Sequence, residues 1–337
     1  VPAPTPTLPV PRGPISCEII SALSDAPQSM RRPPPLGHAD PLGGDVQLAL
    51  HVCYELHYRG FRGVHPDWEW DPELIRVRTA MEHAFLARVR TEVPGGADVE
   101  HALDEVTADA PGSGGVSTHL ERCGTWQEMR EYFVHRSIYQ LKEADPQAWV
   151  IPRLRGRAKC ALVAVEFDEF GAGRPDKVHS TLFEDLLRAA DLHTGYLGYL
   201  DCVPPETLAA VNLTSLCGLH RALRGALVGQ FAAAEISTPP SARHLVSALE
   251  RMHAPAPCVH FYAEHVEADA VHEQVLRTDV VGALLEHEPE LAADVVFGIQ
   301  AADLLESRLA DLLLTSWRRG VSSLLAVGRR PEPAVSR

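Results

Sequence analysis

The sequence predicts an all-α protein on three observations. Apolar residues recur at three- and four-residue intervals, helix start signals stand where those runs begin, and proline- or glycine-rich breakers separate them. The periodic runs span residues 44–61, 71–93, 125–143, 176–192, 205–236, 259–276 and 289–318. In the second, Asp71 is placed to cap a helix that opens with Pro72 and Glu73, and Glu288-Pro289-Glu290 does similar work for the last. The breakers fall at residues 32–36, 94–96, 111–115 and 171–175, at Pro239-Pro240 and at 255–257. One short run, ALVAVEF at 161–167, has a length that fits a strand or a buried helix. Charged residues flank it and turn residues do not, so it reads as helix. Within 205–236, Gly225 and Gly229 lie one turn apart and permit close helix contact, which marks that run as scaffold.

The chain has 337 residues, 45% hydrophobic and 23% charged, a composition that excludes disorder throughout. Its net charge of −14 argues against a nucleic-acid partner, since a polyanion needs a concentrated basic face. No apolar run approaches the roughly 20 residues that cross a bilayer, so no membrane partner is expected. The opening VPAPTPTLPVPRGP lacks the charged start and apolar stretch of a signal peptide, and its prolines predict an extended tail or strap. Seven scattered cysteines (Cys17, Cys53, Cys123, Cys160, Cys202, Cys217, Cys258), never in C-x-x-C spacing, fit neither a disulfide scaffold nor a zinc site. They predict buried free thiols and a cytoplasmic location. The expected division is a Pro-rich tail at 1–14, a helical N-terminal segment at 15–115, a core at 116–320 and a C-terminal tail at 321–337. The PGSGG run at 111–115 follows no strand and reads as a loop, not a nucleotide cradle. Exposed apolar helix faces leave a homodimer open.

His265, Asp269 and His272 lie in FYAEHVEADAVHEQ, a segment without a breaker. Steps of four and seven residues put them within about 60° of arc on one helical face, where two imidazoles and a carboxylate can converge on a metal. One helix cannot complete a coordination sphere. The candidate partners are Glu143 in YQLKEADPQAW, Glu169 in EFDEFGAG and His179 in RPDKVHSTLF. Together these make three carboxylates and three imidazoles, a hard O/N set that suits iron or manganese better than structural zinc. Six ligands around one ion leave no vacancy, whereas a pair of divalent ions keeps residual positive charge and open positions.

Glu166 shares the helical face of Glu169, so either can be the ligand, or Glu166 can support the ligands from behind. On a straight helix Glu169 and His179 stand about 80° apart, and Gly171, Gly173 and Pro175 between them predict a kink or an unwound turn. Glu128 and His135 form a rival pair read as structural or supporting. Arg136, Arg153, Arg155, Arg221 and Arg224 are candidate grips for a substrate carboxylate.

The runs YQLKEADPQAW, AKCALVAVEFDEFGAGRPDKVH and FYAEHVEADAVHEQ resemble those of the haem-oxygenase-like diiron oxidases, and more closely their actinobacterial iron-containing redox enzymes. The resemblance runs from LPVPRGP through YELHYRGFRGV to the last long helix. His51-x3-Glu55-Leu56-His57, on a preceding helix, belongs to it as a segment that lines the pocket or braces it. It implies a seven-helix, haem-oxygenase-like bundle with an additional helical N-terminal segment. It also implies two irons held by Glu143, Glu169, His179, His265, Asp269 and His272, with Fe2+ reacting with O2. The implied partners are a small amino-acid-like substrate, O2 and an external reductant, in natural-product biosynthesis. The expected reaction is C–H abstraction from an aliphatic amino acid, giving an alkene or an azetidine. N-oxygenation of an amine or guanidine comes next, and non-catalytic iron binding is the alternative of another class.

Overall fold

The computed structural model describes residues 5–27, 36–107 and 115–326, with backbone alone at 107 and 267–271. Helices α1 (Pro14–Leu23), α2 (Gly44–Glu55), α3 (Pro72–Arg90) and α4 (Val99–Thr107) make the N-terminal part. Asp71 caps α3 as its spacing requires: Oδ1 accepts from the N–H groups of Glu73 and Leu74, each at 3.0 Å. Next come α5 (Val116–Arg122) and α6 (Trp126–Gln140). Thr125 and Glu128 close a capping box on α6, which gives Glu128 a structural task. His135 is equally structural, with its ring nitrogens 2.7 Å from Thr207 Oγ1 and 2.8 Å from Ser323 Oγ.

The short α7 (Asp145–Ala148) leads to α8 (Gly156–Glu169), so the ALVAVEF run is helical. Then follow α9 (His179–Ala189), α10 (Pro205–Leu219), α11 (Arg224–Arg251) and α12 (Ala256–Gln274). The chain passes through a π-helical stretch, Val275–Gly282, into α13 (Ala283–His287) and finishes in α14 (Ala292–Arg318). Among the described residues there is no strand, and no helix is long and apolar enough to cross a membrane.

Two features of α10 and α11 differ from the expectation of one helix over 205–236 that a breaker ends at Pro239-Pro240. A 3₁₀ turn at Arg221–Leu223 divides the run. Arg153 donates to the carbonyls of Gly218 and Leu219, so a residue far away in sequence satisfies the orphan carbonyls at the end of α10. Beyond the division, α11 continues through both prolines. Pro239 and Pro240 cannot donate to the carbonyls of Glu235 and Ile236, a loss of roughly 3 kcal/mol per proline in helix propensity. Burial of Pro239, Ala242, Leu245, Ala248 and Leu249 against the neighbouring helices outweighs it. Ala234 accepts side-chain hydrogen bonds from Ser237 at 3.2 Å and Thr238 at 2.8 Å, a pattern that bends a helix.

Helix α11 is central, with α12 and α14 along its sides and α5 and α10 near its ends. Gly225, Gly229 and Gly298 make the contact with α14. A Cβ on Gly229 would run into the Val295 carbonyl, and one on Gly298 into that of Ala226. Helices α1 and α2 pack onto this body through α10. Ahead of α1 the proline-rich chain crosses the surface as a strap: Val10 N–H donates to Asp201 at 2.7 Å, and Arg12 donates to the carbonyls of Leu200 and Val203 at 2.8 and 2.7 Å. All seven thiols are free, but the expectation that they are buried holds only in part. Cys53, Cys217 and Cys258 are interior, Cys202 is half-buried, and Cys17, Cys123 and Cys160 are exposed because they fall on outward faces of α1 and α8 and at the end of α5.

Candidate metal centre

Each candidate ligand comes to the site by a different local device. Glu143 stands three residues past α6, in the turn before α7. Glu169 is the last residue of α8 and His179 the first of α9, and between them the chain leaves the α-helix and passes through two 3₁₀ turns, Gly171–Gly173 and Pro175–Lys177. Gly171 permits this at φ 77°, since a Cβ there would strike the backbone of Lys177 and Val178. His265 and His272 project from α12 two turns apart, and the wider π-helical coil begins just beyond them. Asp269 lies on the same helix, and its side chain is outside the described residues.

The side chains gather into two trios. Glu143, His179 and His265 form one, and Glu169, Glu235 and His272 the other, with the ligand atoms in each within 4.8 Å of one another. Glu169 joins them. Its Oε2 lies 2.6 Å from His179 Nδ1, and its Oε1 3.5 Å from His272 Nδ1. His179 Nδ1 is also 3.7 Å from Glu143, and His265 Nε2 is 3.8 Å from the other oxygen of Glu143. His272 Nδ1 approaches Glu235 at 3.1 Å while its Nε2 faces Asp168 at 3.3 Å. A carboxylate with one oxygen toward each trio is the arrangement that can bridge two ions.

The donors suit a hard divalent metal. Nδ1–H of His265 donates to the Phe261 carbonyl at 2.8 Å, which fixes the ring with Nε2 directed at Glu143. Phe261 packs on His265 with ring centroids 4.5 Å apart, and Phe183 packs on Phe261 at 5.0 Å, so one wall is dry.

Charges are balanced within the cluster. Burial favours neutral His179, but Glu169 and Glu143 hold it above its ordinary value. Burial likewise opposes the charge on His272, yet Glu235 and Glu169 push it up to about 9. Burial would raise Glu169, but His179, His265 and His272 bring it below the usual carboxylate range. Glu235 goes up through burial and the Glu169 charge. A divalent cation would take over the protons' task of neutralising these carboxylates.

Five of the six candidates from the sequence are thus brought together, and Glu235 joins them from the helix read as scaffold alone. A signal for it was present: Glu235 is the only charged residue between Gly225 and Ala242. Glu166 is buried but belongs to neither trio. His51, Glu55 and His57 also stand apart: Glu55 pairs with Lys142, and His57 lies between Glu69 and Arg78. Among the arginines, Arg136 clamps Glu306, Arg153 caps α10 and Arg224 pairs with Glu288, while Arg155 and Arg221 are exposed.

Comparison with known proteins points to a family of iron enzymes. A family model described as an iron-containing redox enzyme matches residues 130–307, just over half of the chain. A nitrosourea synthase of Streptomyces achromogenes subsp. streptozoticus is 25% identical over 237 residues, 67% of this chain and 50% of that protein. The chain therefore spans about half the length of the curated relative it matches. With a match that runs from within α6 into α14 and so takes in all six candidate ligands from the sequence and Glu235, the chain belongs to the haem-oxygenase-like family of iron-containing redox enzymes.

Proposed function

We propose that this protein is a non-haem diiron, O2-dependent oxidoreductase that oxidises a nitrogen atom of a small amino-acid-derived amine, guanidine or urea. The observation that carries the diiron reading is Glu169, whose two oxygens face two separate groups of ligands. Two ferrous ions, when bound, supply two electrons and Lewis acidity to O2. Glu143, His179 and His265 would hold one ion, and Glu235, Glu169 and His272 the other, with Asp269 on the same helix as the seventh candidate. His265 presents an Nε2 held in place by its Nδ1–H bond, the Phe183–Phe261 wall excludes water, and the carboxylates set the net charge of the cavity. Insertion of one oxygen atom into an N–H bond with O2 releases water and consumes two electrons and two protons, so an external reductant restores the ferrous pair after each turnover.

Nitrogen is preferred over carbon as the site of oxidation because the relative's name describes a compound with a nitrosated nitrogen. Desaturation or azetidine formation, the expectation from the family resemblance, is an outcome of the same experiment. The ferrous protein is incubated with O2 and a panel of amino acids, amines and guanidines, and products are read by mass spectrometry. Gain of one oxygen atom supports the proposal, loss of two hydrogens moves the chemistry to carbon, and no product alongside iron uptake makes the protein an iron-binding module. Glu169→Ala, His265→Ala and Asp269→Ala are each expected to abolish iron-dependent O2 consumption. Undiminished rates in all three would remove the site.

A further inference from the structure

Lys142, the residue before Glu143, is 1% exposed. An ammonium group at that depth costs several kcal/mol unless it is paired. Its Nζ donates to Glu55 Oε1 on α2, and Glu55 is fully buried. The other oxygen of Glu55 accepts from the Tyr196 hydroxyl at 2.5 Å. Lys142 Nζ also lies 4.4 Å from the centre of the Tyr58 ring. His51, one turn before Glu55, is 3.5 Å from it and faces Asn212 at 3.0 Å, and Asn212 donates to two oxygens of Gln47 at 2.8 Å each. None of these side chains belongs to either trio of candidate ligands.

The turn that carries Glu143 needs such a hold. Helix α6 ends at Gln140, and the Glu143 N–H reaches the Gln140 carbonyl only at 3.5 Å. Ala144, next in line, is buried with φ 71°, a left-handed conformation that a non-glycine residue adopts at a cost of about 1 kcal/mol or more. Glu143 is therefore not placed by a regular helix. Two attachments tie residues 141 and 142 to other elements: Arg59 donates to the Leu141 carbonyl at 3.1 Å, and Lys142 reaches Glu55. A buried ion pair adds little net stability compared with apolar residues of the same volume, but its geometry is directional.

We infer that the Glu55–Lys142 pair, with Tyr196, is a positioning device that fixes the turn at 141–144 so that Glu143 faces His179 and His265. The inference rests on the reading of Glu143 as a metal ligand, and it makes Glu55, Lys142 and Tyr196 positioning residues.

The test uses the full chain with both charges removed together, Glu55→Leu with Lys142→Met, which leaves no lone buried charge. Ferrous-ion titration of this variant is expected to show one ion bound as in the parent and the other weakened roughly tenfold or more. Its crystal structure is expected to show Glu143 withdrawn from the 3.8 Å approach to His265. Two ions bound with parental affinity, or Glu143 unmoved, would overturn the inference and leave the pair a matter of stability. Tyr196→Phe keeps both charges and serves if the double variant does not fold. It should weaken the same ion by a smaller factor, and unchanged binding would count against the proposal. A parent protein that binds no iron would refute the diiron reading instead, and the position of Glu143 in the variant would still decide the positioning role.

Discussion

Glu166 and Glu169 are buried on one helix three residues apart, and their surroundings divide their roles. Glu169 lies between His179 and His272, whose positive charge keeps it ionised. Glu166 has no hydrogen-bond partner for either oxygen among the described residues. Burial first, and then the Glu169 and Glu235 charges, push it up to about 9, so it is a neutral acid near pH 7. Glu169→Gln is expected to lower the iron content after ferrous reconstitution from two ions to one or none, while Glu166→Gln retains two. Metal analysis of the desalted proteins checks both. Glu235→Ala should cost one ion as well, and two ions retained would remove Glu235 from the centre. The sequence displayed Glu235 as an isolated acid in an apolar helix, but isolation alone does not distinguish a ligand from an ion-paired residue.

The contact between α11 and α14 sets where Glu235 stands, because glycine there allows backbone to touch backbone. Gly229→Ala and Gly298→Ala each place a methyl group against a carbonyl of the facing helix. Each is expected to destabilise the protein by about 1–3 kcal/mol, measured by urea unfolding, unless the helices separate. If they separate, Glu235 moves with α11 and iron uptake falls along with stability. The spacing of Gly225 and Gly229 made this contact legible, and the periodicity of the apolar residues made most helices legible too. The division of α10 from α11 was not, since the capping group is Arg153, more than sixty residues earlier. Continuation through Pro239 and Pro240 was hidden for a related reason. Local propensity opposes it, and the packing that overrides it comes from other parts of the chain.

Two buried histidines link the stability of the whole molecule to pH. Burial is the main cause that lowers His51 and His135 to about 4 from an ordinary 6.5. The unfolded chain then binds these protons more readily than the folded one, so stability rises with pH through this range. The contribution is fully present above about pH 6.5 and falls as pH drops toward 4, by on the order of 3 kcal/mol for each group at pH 4. Denaturant unfolding at a series of pH values should show the decline, and His135→Gln should remove about one proton from its slope. Iron should act in the opposite sense, because it binds the folded centre and not the unfolded chain. At a hundredfold excess over its dissociation constant, one ferrous ion adds about 2.7 kcal/mol. The thermal midpoint is expected to rise with ferrous iron, to return on chelation, and to respond weakly in Glu169→Gln.

By itself the sequence determined the helical class and that His265, Asp269 and His272 share one face of α12, because 3.6 residues per turn fix which side chains share a face. It also implied a kink or an unwound turn at Gly171, Gly173 and Pro175 that brings Glu169 and His179 together. Only the tertiary structure brought Glu235 beside Glu169 and His272, left Glu166 outside both trios, and paired a buried lysine with Glu55 next to the turn that carries Glu143. These are meetings between separate helices, and they depend on close contacts and paired charges that no spacing along one chain segment encodes.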